Sequence, residues 1–75
     1  MPVFEYDEKK SKLNRQKHGI DFEEAKQLWY DKNSIIVPAK IIGNEKRFAL
    51  IGKLNSKCYV AIFTLRNSFI RIIKC

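Results

Sequence analysis

From Ser34 onward the chain is a succession of β-branched and aromatic runs joined by links too short for anything but hairpins. Ile35-Ile36-Val37 stops at Pro38, which suits a strand end or a sheet edge. A polar turn, Gly43-Asn44-Glu45-Lys46, leads into Arg47 to Ile51. Gly52 to Lys57 reads as a second turn, Cys58 to Leu65 as the longest strand, and Arg66-Asn67-Ser68 as the turn into Phe69 to Ile73. Successive strands so linked pair antiparallel, because a parallel crossover needs a dozen or more residues. In the last run Ile70 and Ile72 alternate with Arg71, so isoleucines turned inward aim Arg71 outward.

The first third follows a different period. Residues 3–6, between Pro2 and Asp7, fit a short strand. Asp7 can N-cap a helix, and Glu8 stands four residues before Lys12 in the orientation that supports one. Gly19 suits its left-handed end, with Ile20 supplying the apolar contact of a Schellman ending. Leu13 is its main apolar residue, too little for a broad hydrophobic stripe. Asp21 and Glu24 form a capping box opening a second helix, whose Phe22, Ala25, Leu28 and Trp29 make one apolar face. Trp29 therefore belongs to the core. Asp31 to Ser34 end that helix with turn chemistry. The expected architecture is α+β: one domain, residues 1–75, with N-terminal helices packed on one face of a three- to four-stranded antiparallel sheet.

Charge narrows the partners. Fifteen Lys+Arg against eight Asp+Glu give a formal charge of +7, which favours a polyanion or an acidic protein. Five cations and no acid lie between Lys9 and Lys17. No apolar run approaches the ~18 residues of a membrane span, and the N-terminus lacks the basic end and apolar core of a signal peptide. A cytoplasmic protein is expected, with no membrane partner and with Cys58 and Cys75 as reduced thiols.

The order of motifs carries a resemblance. Phe4-Glu5-Tyr6-Asp7 with Lys10 is followed by Asn14, Lys17-His18-Gly19 and Phe22-Glu23-Glu24-Ala25. Then come Asp31, Glu45 with Arg47-Phe48, Gly52, Thr64 with Arg66, and Ile70-Arg71-Ile72-Ile73. From about Phe4 to Ile73 the chain resembles the BrnT toxins of bacterial type II toxin–antitoxin pairs. The resemblance implies a RelE-like fold and ribonuclease activity that blocks translation. It also implies neutralisation by a cognate antitoxin with a ribbon-helix-helix DNA-binding part, so that operator DNA is reached only through the antitoxin. The family pattern runs on past Ile73 with Ser-Ala-Arg and a basic tail, where this chain has Lys74-Cys75. Before Glu45, where the family often carries a further His or Arg, it reads Lys40-Ile41-Ile42-Gly43-Asn44.

RNA cleavage of this kind needs the 2′-hydroxyl activated and the phosphate neutralised. Arg47, Arg66 and Arg71 stand in strand or turn positions and suit the phosphate, because the guanidinium fork matches its oxygens. His18, at a helix C-terminus, suits a general acid for the leaving 5′-oxygen, or else caps the last carbonyls. Lys17 or Lys10 are alternatives as positioned cations, and Glu45 is a base or simply the partner of Arg47. Lys9, Lys10, Lys12 and Arg15 are the expected RNA-binding residues. With no carboxylate cluster, no Gly-rich phosphate loop and no Ser or Cys nucleophile motif, no metal or cofactor is expected. Two other readings stay open: a noncatalytic toxin relative that binds antitoxin or another protein target, its active site lost with the short C-terminus, and a plain nucleic-acid-binding module.

Overall fold

The computed structural model describes residues 3–75. Its elements are β1 (Val3–Glu5), α1 (Glu8–His18), α2 (Phe22–Ala25), a 3-10 segment (Lys26–Tyr30), β2 (Ile35–Ile42), β3 (Glu45–Leu54), β4 (Lys57–Arg66) and β5 (Phe69–Lys74). The strands form one five-stranded sheet in the order β1-β5-β4-β3-β2. The α+β class and the β2–β5 meander are as expected. The strand count and the purely antiparallel pairing are corrected: β1 is a fifth strand and pairs parallel to β5, with Val3 beside Phe69 and Glu5 beside Arg71. The long excursion through both helices and the meander supplies the crossover that a parallel pair requires. Pro2, the expected boundary of that strand, lies outside the described residues.

Several element boundaries also move: Glu45 and Lys46 belong to β3, and Lys57 and Arg66 to β4, so the hairpin turns are shorter than expected. β2 runs on through Pro38 to Ile42, across an irregularity between Pro38 and Ile41. An edge strand tolerates a residue without an N–H, so Pro38 bends the strand without ending it. Gly52 is inside β3 and not in a turn: a Cβ there would lie 3.3 Å from both Leu50 Cδ2 and Ser34 Cβ, so the glycine lets the 31–34 turn pack onto the strand. The second helix tightens after one turn. Phe22, Ala25 and Leu28 recur at steps of three, which a 3-10 segment satisfies as well as an α-helix. The two-residue hairpin loops place Asn55, Ser56, Asn67 and Ser68 at positive φ (49–71°), the geometry of primed turns that follow the sheet's twist.

The core lies between the helices and one sheet face. Ile20, Ala25, Leu28, Leu50, Ala61 and Phe63 form its buried cluster, each large member contributing about 1.5–3 kcal/mol by leaving water. Trp29 joins it edge-on to Phe4 at 5.1 Å and to Phe63 at 5.2 Å, and Phe63 stacks on Phe48 at 5.6 Å. Ile72 is buried and Ile70 packs on the cluster, so the isoleucines of β5 do face the helices.

Helix α1 has no apolar stripe, as its sequence suggests, and is held by polar contacts instead. Leu13 is 51% exposed, while Ser11 and Asn14 are buried. Asn14 Nδ2 donates to the Ile20 carbonyl at 2.8 Å, its Oδ1 accepts from the Cys75 N–H at 3.1 Å, and Ser11 Oγ accepts from the Phe22 N–H at 2.9 Å. Polar side chains thus dock this helix onto backbone groups. Its ends are as expected, with Asp7 accepting from the Lys9 and Lys10 N–H groups and Gly19 at φ 76°, its N–H bonded to the Arg15 carbonyl. The Asp21–Glu24 capping box is present as well.

Three carboxylates set the acid stability. The N–H groups of Lys10 and Lys9 hold Asp7 below the usual carboxylate range. Those of Lys53 and Asn33 do the same for Asp31, and the Tyr6 hydroxyl, then Lys26, for Glu23. Folded-state values below the unfolded ones mean stability that is present above about pH 4–4.5 and lost as pH falls further. The urea midpoint should therefore drop as pH falls below about 5. Asp7→Asn with Asp31→Asn should flatten that fall, because the amide can still cap but does not titrate. An acid limb of unchanged steepness in the double variant would contradict the assignment. No helix among the described residues is long and apolar enough to cross a membrane.

Candidate functional site

The sheet face away from the helices carries a row of charged residues, placed there by strand register. Arg47 pairs with Thr64 across β3 and β4, Thr64 with Arg71 across β4 and β5, and Arg71 with Glu5 across β5 and β1. Residues in register share a face, and a one-residue slip would send all of them to the core side. Adjacent strands lie about 4.8 Å apart, so the backbones of Arg47 and Arg71 are about 10 Å apart with Thr64 between them. That spacing allows two guanidinium forks to close on one phosphate.

Arg66 and Glu45 extend the row. Arg66 lies two residues beyond Thr64 on the same strand and face, and continuing the β3–β4 register by two pairs puts Glu45 opposite it. An open depression of about 730 Å³ at this end of the sheet is lined by Glu45, Thr64, Arg66 and Lys46, among others. Its size is within the ~300–1,000 Å³ of small-molecule sites. Ile42, Asn44, Phe48 and Leu65 complete its lining, and neither Arg47 nor Arg71 borders it. Thr64 is itself buried, its Oγ1 donating to the Lys46 carbonyl at 2.7 Å.

The ion pairs within the row are loose. Arg71 Nη1 is 3.5 Å from Glu5 Oε1, and Arg47 Nε is 3.6 Å from Glu45 Oε1. That Arg47 nitrogen is buried and finds no hydrogen-bond partner among the described residues. A buried guanidinium donor left unmet costs free energy, and an arriving anion that displaces the weak Glu45 contact would recover it.

The other expected site residues lie elsewhere. Lys17 and His18 line a groove of about 190 Å³ between α1 and the end of β5, with Lys10, Asn14 and Lys74. That groove contains none of the three arginines, so the structure divides the candidates into an arginine row and a lysine–histidine groove. Lys9, Lys10 and Lys12 are exposed on α1. Arg15 is committed to structure, with Nη1 at 2.7 Å from Glu24 Oε1 and 3.5 Å from Asp21 Oδ2. Lys74 and Glu5 were not singled out by the sequence, although Glu5 stands in a motif whose other members all have structural tasks. Phe4 packs on Trp29, Asp7 caps α1, and Tyr6 donates to Glu23 Oε2 at 2.6 Å, which pushes the phenol up to about 12. Lys26 closes that corner, at 3.0 Å from Glu23 and 5.7 Å from the Phe4 and Tyr6 ring centres.

Compared with known proteins, residues 6–75 match a family model described as the ribonuclease toxin, BrnT, of type II toxin–antitoxin systems. No curated protein matches the chain.

Proposed function

Since the chain belongs to the BrnT family of ribonuclease toxins of type II toxin–antitoxin systems, we propose that it cleaves RNA without a metal ion on the open face of its sheet. The observation that carries this reading is the arginine row, with Arg47 and Arg71 on either side of Thr64 and Arg66 beside them. In the proposed step Glu45 takes the proton of a ribose 2′-hydroxyl. The 2′-oxygen attacks the adjacent phosphorus, the bond to the 5′-oxygen breaks, and that oxygen leaves with a proton from water. The products are a 2′,3′-cyclic phosphate and a 5′-hydroxyl. Arg47, Arg66 and Arg71 hold the nonbridging oxygens, where charge grows in the transition state. Lys17 and His18, with the exposed lysines Lys9, Lys10 and Lys12, guide the RNA backbone along α1.

Cleavage in the cytoplasm then blocks translation, and a cognate antitoxin with a ribbon-helix-helix part neutralises the chain and links it to operator DNA. Induced expression should halt incorporation of labelled methionine within minutes, and co-expression of the antitoxin should restore it. Unimpaired protein synthesis with the chain folded and abundant would contradict this. Antitoxin binding retained in that case would leave a noncatalytic relative as the better reading.

A further inference from the structure

The open face does not read as a solvated one. An antiparallel sheet with one wet side alternates apolar and polar residues. Here the open-face positions of β2, β3 and β4 next to the arginine row are Ile35, Val37, Ala49, Ile51, Val60 and Ile62, all apolar. Ile35 is 56% exposed, Val37 36% and Val60 47%. The sheet is covered by helices on its other face alone, so this patch has no partner among the described residues.

Charge and shape say what covers it. Along β3 the open face reads Arg47, Ala49, Ile51, Lys53, a cation at each end of the apolar stretch. The acids of this face, Glu5 and Glu45, are paired with Arg71 and Arg47, whereas Lys53 and Arg66 have no ion pair among the described residues. A second copy of this chain would bring cations against cations at a formal +7 each. RNA would find aliphatic side chains that offer it neither stacking rings nor hydrogen bonds. Three strands span about 10 Å, the diameter of one α-helix, and Arg47 to Lys53 span about 20 Å, the length of about 13 helical residues.

We infer that this patch receives an amphipathic helix of the antitoxin, its apolar stripe on Ile35, Val37, Ile51 and Val60 and its acidic residues on Lys53 and the arginine row. The inference rests on the reading of the chain as an antitoxin-neutralised toxin. It adds the place and the means: the helix completes a third layer on the sheet and puts carboxylates where phosphates would bind, so antitoxin and RNA exclude each other.

Two neighbouring residues test it. Ile35 and Ile36 are 56% and 55% exposed on the same strand, but Ile35 pairs with Ile51 on the open face and Ile36 with the buried Leu50 on the helix side. Purified cognate antitoxin is titrated by calorimetry into the wild type, Ile35→Glu, Val60→Glu and Ile36→Glu, with thermal melts to show each is folded. Ile35→Glu and Val60→Glu should each weaken binding at least about 30-fold, as loss of an interface anchor does. Ile36→Glu should bind like the wild type. Ile35→Glu should also keep its RNA cleavage while escaping inhibition. Wild-type binding with Ile35→Glu unaffected, or Ile36→Glu weakened as much, would overturn the surface and leave the antitoxin reading intact. Absent wild-type binding would overturn both. A dimer of the chain alone that Ile35→Glu dissociates would give the face to a second copy and overturn the inference.

Discussion

Arg47→Ala is expected to lower RNA cleavage about 10²–10³-fold, or ~3–4 kcal/mol of barrier, by analogy with the loss of one oxyanion donor. The size follows from position: Arg47 sits in the charged row, half-buried, with a donor that finds no hydrogen-bond partner among the described residues. Such a group adds little to stability, and a ligand that met its donor would recover the cost. Its contact with Glu45 is long and partly exposed, the kind of pair worth about 0–1 kcal/mol. The melting temperature should therefore hold or rise in Arg47→Ala, and Arg47→Met, which keeps the packing of the stem, should be at least as stable as wild type. Activity and stability moving in opposite directions is the signature sought. A variant that loses both together would mark Arg47 as a structural residue.

The largest expected effect on stability is at Asn14. Replacing it by Ala removes the donor to the Ile20 carbonyl and the acceptor of the Cys75 N–H. A buried polar group left unmet costs about 1–3 kcal/mol, and the half-exposed Cys75 can turn to water, so the loss should be about 2–4 kcal/mol. A domain of this size has roughly 4–11 kcal/mol in all, so this is a large fraction. Leu13→Ala should cost under about 0.5 kcal/mol, as surface substitutions do. Urea midpoints of the two variants decide it. Leu13→Ala costing more than Asn14→Ala would mean that α1 is held by its apolar residue after all.

The docking of α1 shows where the sequence is legible and where it is not. Helix ends are written locally, so Asp7, Gly19 and the Asp21–Glu24 pair could be read directly. Hairpins are local too, and the meander followed from its short links. The docking of α1 is not local, because Asn14 and Ser11 meet backbone groups that their neighbours do not reveal. The short strand β1 is legible between Pro2 and Asp7, but no short pattern announces its parallel pairing with β5 at the other end of the chain. For the site, residue types suggested three arginines, but their grouping depends on register: only the pairing of Arg47 with Thr64 and of Thr64 with Arg71 brings two of them to one row. His18 and Lys17 are adjacent in the motif order to residues of the same resemblance, yet the fold carries them to another groove. Sequence nearness on a helix says nothing of nearness to a sheet face. Pro38 looks like a strand end when its partner strand is unseen, so the sequence pattern stops short of the Ile42 end of the edge strand.

Cleavage on the arginine face by attack of the 2′-hydroxyl, with no metal, would leave a chemical signature on the RNA ends. The most direct measurement is to incubate the purified chain with a long RNA in excess EDTA, with and without ribosomes, and to identify the ends of the fragments. Fragments carrying 2′,3′-cyclic phosphates and 5′-hydroxyls are expected, undiminished by the chelator and absent with Arg47→Ala. Fragments with 5′-phosphates, or cleavage abolished by EDTA and restored by magnesium, would contradict it.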